Sequence, residues 1–108
     1  MDSKQKRRVL SRLDNAHYFC AKARVLRGFL GWMVADLQLT EKKASALTDA
    51  LLMKNFQQEP FLSILGDLKD ALLKEGHRVS VARLVDESMI FFKQEKQMFF
   101  ECNAPHAV

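Results

Sequence analysis

The stretch VLSRLDNAHYFCAKARVLRGFLGWMVADLQL, Val9 to Leu39, decides the fold class. Val9, Leu13, Ala16, Cys20, Ala23, Arg27, Leu30, Val34 and Leu37 follow one another at alternating steps of four and three, and Arg27 is the one charged member. That is the period of an α-helix laying one stripe against a partner. A second stripe, Phe19, Leu26 and Met33, runs beside it at seven-residue spacing. A third, Tyr18, Val25 and Trp32, falls on a face that a simple two-helix seam leaves outside. Ala21, Gly28 and Ala35 repeat at the same interval, where another backbone could approach closely. A helix apolar on so many sides must be surrounded, by its own chain or by a second copy.

Working outward, Asp2 or Ser3 can cap this helix, which the pattern places at about 4–38, with Gly28 and Gly31 as points where it can bend. Thr40 before Glu41 restarts the chain as a second helix at about 41–56, burying Ala44, Leu47, Leu51 and Phe56. Pro60 suits the first turn of a third helix at about 60–75, whose stripe is Phe61, Leu65, Leu68 and Leu72 and whose stop is Gly76 after Lys74. Ser80 caps a fourth at about 80–102, with stripes Val81, Leu84, Phe91, Met98 and Val85, Phe92, Phe99; Ile90 and Phe100 fall outside both. The expected fold is all-α: a single four-helix, bundle-like domain over residues 1–108 with a long N-terminal helix.

An alternative concerns the end of the chain. Ile90–Phe92 and Met98–Phe100 can also be read as two strands of a hairpin around Lys93–Gln97. The fourth element would then belong to a helical domain with a C-terminal winged helix-turn-helix. The connecting residues include no Gly, Asn, Asp or Pro, the residues tight hairpin turns favour, so helix is the preferred reading.

Composition bounds the function. Apolar residues make up 48% and charged residues 28% of 108 residues, as in an ordinary globular chain. No apolar run approaches the roughly 20 residues that cross a bilayer, and the basic start is not followed by a signal-peptide pattern. Two cysteines do not make a disulfide framework, so a reducing cytoplasm is the expected location. The net charge of +4 is unevenly spread. Residues 1–28 carry eight bases against Asp2 and Asp14, for +6, which leaves −2 on the remainder. Such an end can meet nucleic acid or an acidic protein, or simply be solvated.

No nucleophile elbow, phosphate-cradling glycine loop or metalloprotease motif occurs, so catalysis is not expected and no cofactor is implied. His17-x-x-Cys20 and Cys102-x-x-x-His106 are the metal candidates, because two such pairs would close a tetrahedron if the chain ends met. Ala71, Gly76, Ser80, Val81 and Arg83 roughly follow a helix-turn-helix order over about 64–89. A DNA-binding regulator would use Arg78, Ser80 and Arg83 together with the basic Lys4, Lys6, Arg7, Arg8 and Arg12, but Asp86 and Glu87 on the same helix would repel phosphate. The favoured reading is a small non-enzymatic regulator that binds another protein, as adaptor, inhibitor or anti-activator, and pairs as a homodimer. Tyr18, Val25, Trp32, Phe92, Phe99 and Phe100 are its expected interface.

Overall fold

The structure is a computed structural model that describes Leu10, Asp14 and residues 18–103, with side chains as far as residue 94. Its described part is all-α: α1 (Phe19–Ala35), α2 (Glu41–Phe56), α3 (Phe61–Lys74) and α4 (Val81–Asn103), with no strand. α1 packs on α2 and α4, and α3 packs on the same two helices, which makes the bundle-like domain the periodicities imply. No helix among the described residues is long and apolar enough to cross a membrane.

The opening helix differs from expectation in its start and in its facing. It begins at Phe19 behind Tyr18, whose φ of −103° and ψ of 13° are not helical, and Asp14 lies in a turn; a continuous helix over 4–38 therefore does not form. Within α1 the buried residues are Lys22, Val25, Leu26, Phe29, Trp32 and Met33. The stripe that opened the sequence reading faces the other way. Cys20, Arg27 and Val34 are exposed, and Ala23, Leu30 and Leu37 only half-buried. Size explains the reversal. That stripe carries small and mixed side chains, whereas Phe29, Trp32 and Met33 offer far more apolar area per residue, and buried area decides which face turns inward.

The face of Tyr18, Val25 and Trp32 is likewise not left over. Val25 is fully buried and Trp32 nearly so. The Tyr18 ring stacks at a tilt on Phe92 of α4, centroids 5.8 Å apart. Phe29 meets Trp32 and Phe91 edge-on at 5.7 and 5.1 Å. Phe91 reaches α1 over Gly28, so the gap left by the small residue serves the chain's own α4.

α2 starts as expected, the Thr40 hydroxyl accepting from the Lys43 amide at 3.2 Å. Its buried face is Ala44, Thr48, Leu51 and Asn55, with Leu47 half-buried. The Thr48 hydroxyl is satisfied by donating to the Ala44 carbonyl. Phe56 was expected inside and is outside, because the position one helical turn after Leu51 is Asn55, and Phe56 is rotated about 100° from it. The helix closes through Gln58 in the left-handed region (φ 63°), with the Glu59 amide donating to the Lys54 carbonyl and the Gln58 amide to that of Asn55.

Pro60 stands one place before α3, as its N-cap, and not in the first turn. Having no side-chain oxygen, it leaves the Phe61 amide to be capped from elsewhere: the Asp14 carboxylate accepts it at 2.8 Å. Phe61, Leu65, Leu68 and Leu72 are all buried, as their spacing predicts, with Ile64 beside them. Gly76 (φ 86°) ends α3 with the same pair of bonds, Gly76 to Leu73 and His77 to Leu72.

Ser80 caps α4 by accepting from the Arg83 amide. Leu84, Val85, Ser88, Met89 and Phe92 are buried, and Ile90 is exposed. The helix runs unbroken to Asn103, so the hairpin and the winged helix built on it are overturned: without a turn-forming residue, nothing interrupts the helical hydrogen bonds.

Candidate functional site

A groove on the described surface brings buried polar groups and exposed aromatic rings together. It encloses about 850 Å³ and is lined by Asp14, Phe19, Lys22, Asn55, Phe56, Gln58 and Pro60. Phe19 and Lys22 are one turn apart at the start of α1, so they share a face. Asn55 and Phe56 end α2, and the turn at Gln58 brings Pro60 round to close the far wall.

Its floor is polar. Lys22 is 6% exposed, an unusual burial for a lysine, and its ammonium lies 3.6 Å from the Asp14 carboxylate. The same Asp14 oxygen already accepts the Phe61 amide, so Lys22 is paired but loosely held. Asn55 is 1% exposed, and its Oδ1 has no hydrogen-bond partner among the described residues. A buried carbonyl left this way carries its full desolvation cost and needs a donor. The rim is apolar: Phe19 is 40% and Phe56 74% exposed. Alongside, Lys54 pairs with Asp67 at 2.9 Å and with Glu59 at 3.8 Å. The hydrogen bond to Asp67 raises the Lys54 pKa, against a smaller opposing effect of burial.

An ammonium, a carboxylate and an amide between two phenyl rings can bind, orient and discriminate. Among the described residues its lining includes no serine, cysteine or histidine.

The residues nominated from sequence do not assemble there. Tyr18, Val25, Trp32 and Phe92 meet one another's helices in the core, and the side chains of Phe99 and Phe100 lie outside the described residues. Of the metal candidates, Cys20 is exposed on α1, while His17, His106 and the Cys102 side chain lie outside the described residues. Among those described, no three of His, Cys, Asp and Glu stand together as a metal-ligating group. Lys4, Lys6, Arg7, Arg8 and Arg12 also lie outside them. Arg78 is exposed, Ser80 is occupied as a cap, and Arg83 is committed to Glu87 at 3.1 Å and to the Trp32 ring at 5.9 Å.

Lys22 and Asn55 escaped the sequence reading, although a signal existed. Lys22 precedes Val25, Leu26 and Phe29 at steps of three, four and seven; Asn55 follows Ala44, Thr48 and Leu51 on one stripe. A polar residue in phase with a buried stripe marks a buried polar group. No protein-family model, curated protein or solved structure matches this chain.

Proposed function

We propose that this is a small non-enzymatic regulatory protein that binds another protein, as adaptor, inhibitor or anti-activator, and that the groove at the start of α1 receives that target. The observation that carries the reading is the placement of Phe56 and Phe19, exposed aromatics on either side of a floor holding buried Lys22 and Asn55. Exposed large apolar side chains grouped around a concavity with a few convergent polar groups characterise recognition sites. The free, exposed thiol of Cys20 suits a reducing cytoplasm. Val25 and Trp32 are covered within the chain and Tyr18 packs on Phe92 of α4, while the homodimer's other interface residues, Phe99 and Phe100, have side chains outside the described residues; the groove is therefore read as the site for a different protein. Of the residues the DNA-binding alternative names, Arg83 is paired with Glu87 and the basic N-terminal set lies outside the described residues.

The reading is tested by co-purification from native extract under nuclease treatment, comparing the wild type with Phe56→Asp. A stoichiometric protein retained by the wild type and lost from the variant supports it. A partner held equally by both places recognition elsewhere, and binding that vanishes with nuclease returns the DNA-binding alternative.

A further inference from the structure

We propose that the groove captures the free C-terminus of a partner polypeptide ending in an apolar residue. This rests on the protein-binding reading above and specifies the chemistry of what is bound. The floor has two unmet requirements. The Lys22 ammonium has three hydrogens and, among the described residues, one carboxylate neighbour, Asp14, which stands beyond hydrogen-bond distance at 3.6 Å. Asn55 Oδ1 has no donor among those residues. A ligand that completes the floor brings an anionic acceptor for Lys22 and an N–H for Asn55. Walls of Phe19, Phe56 and Pro60 ask for an apolar group between them.

The last residue of a polypeptide carries all three within one unit: a carboxylate, its own amide N–H, and a side chain on the carbon between them. An internal aspartate or glutamate sets its carboxylate one or two bonds further from its own N–H, and its methylene stem does not fill an aromatic cleft. Asp14 does not forbid a second carboxylate. Its Oδ1 is already covered by the Phe61 amide, and one ammonium can serve two carboxylates. Asn55 Oδ1 is closed to water, so an incoming N–H must displace part of the wall to reach it, and Phe56 is the most exposed residue of that wall. Capture of a terminal carboxylate is an established mode of peptide recognition, and burial of the cation is what gives the charge its leverage.

The test uses the whole chain and two fluorescein-labelled hexapeptides of glycine and serine ending in leucine, one a free acid and one a C-terminal amide, followed by anisotropy. The acid is expected to bind at least about tenfold more tightly than the amide, a difference of the size expected for one charge-assisted contact. Lys22→Met keeps the buried stem and should bring the acid's affinity down to that of the amide; Phe56→Ala should weaken both peptides. Circular dichroism of each variant checks that it is folded, and should Lys22→Met fail to fold, Lys22→Arg replaces it and should retain the preference for the acid. Equal binding of acid and amide, or binding of neither at millimolar concentration, overturns the proposal. If a co-purified protein depends on Phe56 while acid and amide bind alike, the groove still binds proteins but not through a terminal carboxylate.

Discussion

A Cβ placed on Gly28 would lie 2.8 Å from Cγ of Phe91, a separation that no pair of carbons tolerates without something moving. α1 and α4 are in contact there because residue 28 has no side chain. Overpacking should cost Gly28→Ala about 1–3 kcal/mol against the roughly 1 kcal/mol that alanine gains in a helix, for a net destabilisation of up to about 2 kcal/mol. Gly31, three residues on, faces open space, and Gly31→Ala should stabilise by up to about 1 kcal/mol. Urea titrations of both variants give the comparison as opposite shifts in midpoint at constant slope. Pairing Gly28→Ala with Phe91→Leu should recover part of the loss.

Trp32 separates a core role from an interface role. It is nearly buried beneath α4, against Phe29 and under the Arg83 guanidinium. Trp32→Ala should cost about 3–5 kcal/mol, and Trp32→Asp should lose the helical spectrum altogether. A folded Trp32→Asp monomer would return Trp32 to the surface. Arg83→Ala, which removes only the contact over the ring and the pair with Glu87, should cost about 0.5–1 kcal/mol.

The two helix-ending turns differ in one respect. Gly76 takes φ 86° at the end of α3, while Gln58 takes φ 63° at the end of α2 with a Cβ to accommodate. Gln58→Gly should stabilise the chain by about 0.5–1 kcal/mol, the relief of a left-handed residue less the entropy glycine loses on folding. Gly76→Ala should destabilise by about 1–2 kcal/mol. Thermal melts read both signs.

The Lys54–Asp67 pair carries a pH signature. Its hydrogen bond holds the Lys54 pKa above the usual 10.5, so folding favours the protonated lysine. The contribution is complete below pH 10.5 and is lost as pH rises through the folded value. In the wild type, stability should fall over this alkaline range more steeply than in Lys54→Met, and the two profiles should run parallel below it. Identical slopes throughout would show that the pair contributes nothing to folding.

What was legible in the sequence depended on how much contrast each helix carries. In α3 every large apolar residue but Leu62 and Leu73 lies on one side, and its buried stripe was readable residue by residue. In α1 apolar residues surround the helix, so periodicity established that it was a helix without establishing which way it faced; side-chain size was the missing weight. Thr40, Ser80 and Gly76 were readable because capping is local. The groove was not, since its lining comes from two stretches, 14–22 and 55–60, that only the packing of α1 against α2 unites.

The cap on α3 is supplied from 47 positions upstream, by Asp14 to the Phe61 amide. Most hydrogen bonds that finish a helix are formed within a few residues and close as soon as the turn does. This one requires a long loop to be closed first, with the entropy that entails. The first turn of α3 is thus tied to the chain ahead of α1 through Asp14. The groove lies at this same junction, because Asp14 both lines it and caps α3.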